Sequence, residues 1–349
     1  MQHNLLLRTI MFMCLVIILS PAAITLANDH DPENLQTVQL FFENDLFGDT
    51  DKYYTNAVQL TWLSGDLKQY KDDVRLPAWS KPIIEWIPFA GQDGSHHNVG
   101  LLFGQQIYTP ADIRTKLLQE DDRPYAGFLY FGIALHSKTS TVLDTMELIF
   151  GMVGSNAFGE QAQNTIHRMR DFSTAKGWDN QLENEPGVMI SKQRKWRLIK
   201  KKLFNSFEFD FISHSGLTLG NVRISANAGG EVRLGYRIPK DFGSDVIRAG
   251  AGVSAPVVDG YSQKKYKFGI HFFAATQGEV VMRDIFLDGN TWTSSPDVDR
   301  KPFVADLSVG VALNLNMFKL TYRHLFRTKQ FYKQEQGQII GSFTLTYSF

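Results

Sequence analysis

Period-two alternation of apolar with small or polar residues recurs along most of the chain and constrains its fold more than any motif does. Near the end, Gly341, Phe343, Leu345, Tyr347 and Phe349 alternate with Ser342, Thr344, Thr346 and Ser348. Upstream, Ala305, Leu307, Val309, Val311, Leu313 and Leu315 alternate with Asp306, Ser308, Gly310, Asn314 and Asn316. The next segment sets Leu320, Tyr322 and Phe326 against Lys319, Thr321, Arg323 and Arg327. Successive side chains of a strand point to opposite faces, so each segment has one greasy face and one polar face.

A soluble sandwich shows the same alternation, with its polar face in water and its apolar face against a second sheet. A transmembrane barrel turns the apolar face outward to lipid and the polar face into the lumen, in segments of about ten residues. The lengths of the segments favour the barrel. So do aromatics at segment ends, such as Tyr53 with Tyr54 and Tyr130 with Phe131, where interfacial girdles lie. The last strand ends on Phe349 in phase with its apolar face, which resembles the signal read by the outer-membrane barrel assembly machinery. Closure also removes exposed sheet edges. The expected fold class is all-β, a transmembrane antiparallel barrel of about twelve strands with short helical segments in its loops.

Composition excludes other classes. Thirty-six basic residues balance thirty-six acidic ones, so nothing in the net charge marks a nucleic-acid binder. An apolar fraction of 43% with 26 Phe is incompatible with a disordered chain. Residues 1–27 read as a secretory signal: Arg8, an apolar run over residues 10–19 too short to span a bilayer, and the small-residue end Thr25-Leu26-Ala27. The single cysteine, Cys14, falls inside it, so the remaining domain, residues 28–349, uses no disulfide in an oxidising compartment.

The strands are expected to begin near Thr37, Tyr54, Asn98, Tyr125, Thr141, Val188, Leu203, Gly220, Tyr266, Phe303, Phe318 and Gln338. Parity then places residues 47–53, 107–124, 152–187, 286–302 and 328–337 outside. Short inner turns are expected at 137–140, 199–203 and 314–317. Two inner connections, 65–97 and 239–264, are too long for the usual pattern; a local helix or interfacial segment is expected near residues 83–89.

Two places can carry chemistry. Asn44 is in phase with Val38, Leu40 and Phe42, which puts a polar side chain on a lipid-facing stripe beside Asp45 and close to Tyr54-Thr55-Asn56. The bland alternative is an interfacial Asn and a turn-forming Asp. In the third outer loop, Glu160, Gln163, Asn164 and His167 have the spacing of one face of a short helix. His167 is the natural general base there, although a histidine on such a face is more often merely solvated or satisfied. His96 and His97 fall in the long inner connection, and His136 and His324 read as strand-face residues.

Five short motifs, in order, carry a resemblance that spans essentially all of residues 28–349. They are Asn44-Asp45, Tyr54-Thr55, Asp122-Arg123-Pro124-Tyr125-Ala126-Gly127, the stretch from Gln163 to His167, and the stretch from Trp178 to Asn184. Together they resemble the lipid A 3'-O-deacylase (LpxR) family. The resemblance implies a twelve-stranded outer-membrane barrel acting on lipid A, the membrane anchor of lipopolysaccharide, in the outer leaflet. There it would hydrolyse the ester of the 3'-linked acyloxyacyl chain with calcium. It further implies that His167 is the general base, Asn44 and Asp45 a polar pair on the first strand, and Thr55 a hydroxyl on the second. It implies too that Asp45 is the carboxylate on the calcium side, in keeping with the preference of hard cations for oxygen. Family members can carry a Glu and a Tyr shortly after the His, where this chain has Ser173 and Ala175. A basic family residue between the third and fourth strands falls on Arg114 or Lys116, and the resemblance does not choose between them.

Two other readings remain at this point. An outer-membrane phospholipase would need a Ser beside a His in a His-x-Ser-Asn-Gly pattern, which His214-Ser215-Gly216 does not match. A porin would need an open lumen, whereas twelve strands leave a narrow one that Glu208, Asp210, Lys267 and Arg323 could fill.

Overall fold

Strands follow the alternation in the computed structural model, which describes residues 35–45, 53–67, 69–70, 82, 84, 87, 89, 94–169, 171–244 and 268–349. Among these residues twelve strands form one closed antiparallel barrel. They are β1 (Thr37–Asn44), β2 (Tyr53–Leu63), β3 (His96–Thr109), β4 (Ala126–Lys138), β5 (Val142–Val153), β6 (Glu185–Phe204), β7 (Phe207–Gly220), β8 (Arg223–Tyr236), β9 (Phe268–Asp284), β10 (Phe303–Leu315), β11 (Phe318–Arg327) and β12 (Gln338–Ser348). Each pairs with its neighbours in sequence, and β1 closes on β12 from Thr37 opposite Ser348 to Asn44 opposite Gly341. No barrel strand is left as an edge, so its backbone groups are satisfied between strands, as a lipid environment demands. The expected signal, residues 1–27, lies outside the described residues.

The two faces are distributed as in a membrane barrel. On β1, Thr37, Gln39, Phe41 and Glu43 are buried inside, while Val38, Leu40 and Phe42 are half-buried on the outer wall. Leu101, Phe103, Phe131 and Leu307, all outward by the same alternation, are each at least half exposed. The connections at the rim carrying Gln36 and Phe349 include short turns at residues 139–141, 205–206 and 316–317, which identifies it as the inner rim.

Three expectations about the inner rim change. The turn expected at 199–203 is strand: β6 continues through Lys200, Lys201 and Lys202 to Phe204, and the hairpin turns at Asn205 and Ser206, with φ of 38° and 71°. Positive φ at both central residues matches the right-handed twist of the flanking strands, and a lysine run only imitates turn polarity. The seventh strand therefore begins at Phe207 rather than near Leu203.

In the long 239–264 connection, residues 237–244 fold back into the lumen; residues 245–267, including the expected strand start at Tyr266 and the lumenal Lys267, lie outside the described residues. Asp241 is held by Arg233 and by Lys319, the latter at 2.5 Å, and Ser244 Oγ donates to Glu231 at 2.6 Å. The Arg197 guanidinium lies 4.7 Å from the ring centre of Phe242 and donates to the Lys240 carbonyl at 2.9 Å. Burial disfavours a charge on Asp241, but Lys319 and Arg233 more than offset it and hold its carboxyl well below the usual range.

The 65–97 connection is largely outside the described residues, including most of the helix expected near 83–89. Its described Tyr70 and Ile84 pack against Val99 and Leu135, which are outward positions of β3 and β4, so this part lies on the barrel's outer wall. Tyr70 also donates to the His136 carbonyl at 2.7 Å. His96 and His97 open β3 rather than sitting in the loop.

The described elements also include two short α-helices, α1 (Gly159–Met169) and α2 (Ile285–Asp288), and 3-10 turns at Ser155–Ala157 and Trp178–Asn180. Asp284 caps α2 by accepting from the Phe286 N–H at 3.1 Å, and the helix turns into the barrel mouth. There Phe286 stacks on Tyr108 with centroids 4.0 Å apart. An apolar cap thus fills the outer end of the lumen and the salt-bridged 237–244 segment fills the inner end. Among the described residues this packing disfavours the open lumen that a porin needs.

Candidate functional site

The outer ends of β1 and β2 sort their polar residues onto two sides. Glu43 points inward and accepts from the Tyr54 hydroxyl at 2.9 Å, and Tyr54 packs on Tyr108 in the lumen. Asn44, next along the strand, belongs by alternation to the membrane-facing side, yet only 6% of it is exposed. It lies in register between Asn56 of β2 and Gly341 of β12. Asp45 follows immediately and is fully buried. A bulge between Tyr54 and Asn56 inserts Thr55 as an extra residue, and its hydroxyl meets that of Thr109 at 2.7 Å. Bulges re-aim side chains at barrel rims, which is what this one does for Thr55.

The second part of the site is α1, laid across the outside of β3 and β4. Glycines set that approach. A Cβ on Gly127 would stand 3.1 Å from the Gly159 nitrogen and from Ala157 Cβ, and one on Gly159 would stand 2.7 Å from the Trp178 ring. Gln105, outward on β3, donates to the Ala157 carbonyl at 2.6 Å, and Ala162 packs on the cluster containing Ile107. The face of α1 turned to the wall buries Gln163, Asn164 and His167. Glu160, expected on the same face, is exposed instead, in the first turn of the helix.

Backbone atoms beyond the helix fix this face. Gln163 accepts from the Trp178 indole at 2.9 Å. Asn164 clamps Ala175 from both sides, accepting from its N–H at 2.8 Å and donating to its carbonyl at 3.3 Å. His167 Nδ1 lies 2.6 Å from the Ser173 carbonyl oxygen. A carbonyl only accepts, so Nδ1 carries the hydrogen and the neutral ring keeps its lone pair on Nε2. The ring is 5% exposed and meets Phe172 edge-on at 6.0 Å. Ser173 and Ala175 thus contribute through their backbones.

The Asp122-to-Gly127 motif is a framework for the same region. Asp122 accepts from the N–H groups of Ala111 and Arg123, both at 2.7 Å, and folds the β3–β4 connection. Arg123 is fully buried over the Tyr108 ring at the lumen mouth. Tyr125 packs on Trp178 at 5.0 Å, and Gly127 admits the helix. Arg114 is exposed and paired with Asp112 at 3.1 Å, and Lys116 is exposed, so neither is drawn into the site.

The structure therefore places Asn44, Asp45 and Thr55 at the outer rim of β1 and β2, and His167 on a helix over the adjacent β3 and β4. Sequence reasoning missed Thr109, Gln105, the Asn164 clamp and the Ser173 carbonyl. Gln105 was legible as a polar residue in a lipid-facing series; a backbone carbonyl carries no sequence signal. Among the described residues no three His, Cys, Asp or Glu side chains come together. A divalent ion here would rest on the Asp45 carboxylate with neutral oxygens such as that of Asn44, a donor set of the type calcium accepts.

Replacing Asn164 by Leu keeps the volume and removes both bonds to Ala175. Turnover should fall about tenfold or more, since a lost clamp of about 1 kcal/mol per bond lets the Ser173 carbonyl move away from His167. The barrel itself should remain intact in a heat-modifiability gel assay, and unchanged turnover would show that the clamp has no role in the site.

Comparisons with known proteins agree with this architecture. The family described as outer membrane protein LpxR matches residues 11–349. The solved structure of LpxR from Salmonella typhimurium is 18% identical and superposes with a TM-score of 0.71, covering 90% of this chain and 100% of the Salmonella chain. At that identity the likeness is one of fold. The β domain of the Bordetella autotransporter Brka also matches, at 10% identity over 91% of this chain and 99% of that one, with a TM-score of 0.41 too low to carry an argument. No curated protein sequence matches the chain. The family match over almost the whole length and the shared closed barrel establish that the chain belongs to the LpxR family of outer membrane proteins.

Proposed function

We propose that this outer-membrane protein is a lipid A 3'-O-deacylase, which hydrolyses the ester of the 3'-linked acyloxyacyl chain with His167 as general base. The observation that carries this reading is the His167 ring buried on the membrane-facing side of the outer rim, with its Nδ1 engaged by the Ser173 carbonyl. Nε2 takes a proton from water as the water oxygen attacks the ester carbonyl. When the tetrahedral intermediate collapses, its carbon–oxygen bond to the sugar breaks, and the same proton passes to the leaving 3'-hydroxyl. Asn44 and Thr55 present an amide and a hydroxyl that orient the ester and the water. A covalent nucleophile is not indicated, since the domain has no cysteine and no Gly-x-Ser-x-Gly elbow.

The location suits the substrate. Extracting an acyl chain into water costs roughly 0.8 kcal/mol per CH2, so a site on the outer wall lets the chain remain in hydrocarbon while only its ester moves. Calcium, implied by the family resemblance, would be held by Asp45 and the Asn44 amide oxygen, and when bound it supplies positive charge to the developing oxyanion. Adding a chelator should reduce hydrolysis about a hundredfold or more, and calcium should restore it. Hydrolysis at the full rate in excess chelator would eliminate calcium from the reaction.

A further inference from the structure

On the opposite side of β1 from α1, the outer wall between β9 and β10 contains a groove of about 570 Å3. Its volume is that of a small-molecule site. Gly278 and Ala305, small residues in the outward series of the two strands, face each other in register one step below the bulkier pair Val280 and Phe303. A Cβ at Gly278 would have no atom within 4 Å, so the missing side chain leaves open space. The groove ends at the outer rim between Lys301 and Lys329.

The rim is built to hold these lysines. The Lys301 N–H donates to the Gln330 carbonyl at 2.8 Å, and Ala305 and Thr328 are joined by two hydrogen bonds of 2.9 Å, which tie the start of β10 to the end of β11. The Lys301 ammonium rests 4.7 Å from the Tyr332 ring centre. The carboxylates on these strands point the other way: Glu279 pairs with Arg223 and Asp306 with Arg327 inside the lumen, each at 2.9 Å. The groove therefore combines an apolar floor in the membrane with positive charge at headgroup height.

We infer that this groove is a second lipid site, which holds one acyl chain of a phosphorylated outer-leaflet glycolipid along Gly278 and Ala305 while Lys301 and Lys329 take its phosphate. An acyl chain gains little by leaving bulk lipid for a protein groove, so selectivity comes from the lysines. The occupant is a resident molecule distinct from one being hydrolysed, because β10 and β1 are separated by β11 and β12. The inference needs only the outer-membrane location and does not depend on the proposed hydrolysis.

The test is native mass spectrometry of the full chain in non-ionic detergent with chelator, titrated with hexa-acylated diphosphoryl lipid A. The wild-type protein should retain two lipids. Lys301→Ala with Lys329→Ala should weaken the second binding step about thirtyfold, and Gly278→Trp, which fills the floor, should abolish it. Dephosphorylated lipid A should bind like the double lysine variant. Heat-modifiability confirms that each variant is a folded barrel. The same spectra report any hydrolysis as a change in lipid mass, so failure at the groove is distinguishable from failure of the deacylase reading. Equal stoichiometry in wild type and both variants, equal retention of the dephosphorylated lipid, or equal retention of phosphatidylglycerol would overturn the inference.

Discussion

His167→Ala should lower lipid A hydrolysis by about a hundredfold to ten-thousandfold, while the protein remains a folded, heat-modifiable barrel. The size of the effect follows from the role: a positioned base contributes that much. His96 and His97 lie at the inner rim, and His136 accompanies them, bonded to Thr145 at 2.9 Å. The loss should fall mainly on kcat, because alanine removes proton transfer and leaves the groups that contact the acyl chain and sugar. The fold is spared because α1 keeps its seat through the Gly127 contact, the Gln105 bond and the Asn164 clamp, none of which uses the imidazole. An alanine variant with more than a tenth of wild-type turnover would assign the base elsewhere.

The largest effect on stability should come from the opposite end of the lumen. Arg233 is fully buried and binds Asp210 through two nitrogens, one at 2.7 Å, while it also binds Asp241. Arg233→Met strips one carboxylate of its fork and leaves the other with Lys319 as its principal cation. Removing one partner of a buried ion pair typically costs about 3–5 kcal/mol, because a desolvated charge is left uncompensated. Guanidinium unfolding in detergent should show a lower midpoint with little change in slope. Replacing Asp210, Arg233, Asp241 and Lys319 together by apolar residues should recover much of the loss, since the lysine paired with Asp241 is then removed with it and Arg197 keeps its bonds to the Ser140 and Lys240 carbonyls.

The pH dependence follows from Asp241. Its folded pKa is depressed below the unfolded value near 3.9, so its contribution is complete above that value and is lost only as pH falls toward the folded one. The wild-type barrel should therefore keep this stabilisation at mildly acidic pH. A wild-type midpoint that collapses between pH 6 and pH 5 would contradict this assignment.

Most of the barrel was legible because a wall between lipid and a packed lumen imposes period two on every strand. Phe303 and Phe318 begin their strands where the alternation places them, and the helix carrying His167 follows from spacing of three and four. What was hidden depends on tertiary contact. The lysines before Asn205 mimic a turn but sit on a protruding hairpin. The connection through Asp241 is too long for a periplasmic turn because part of it is lumen filling, held by Arg233 of the preceding strand and by Lys319 of the distant β11. At the candidate site, Ser173 and Ala175 act through backbone groups, for which their side chains give no chemical clue.

The central claim is most directly tested by tandem mass spectrometry of lipid A incubated with the purified protein and calcium. The account predicts a single loss equal to the acyloxyacyl group, located by fragmentation at the 3' position and absent with His167→Ala. An unchanged lipid mass, a chain lost from another position, or the same product from the His167 variant would contradict it.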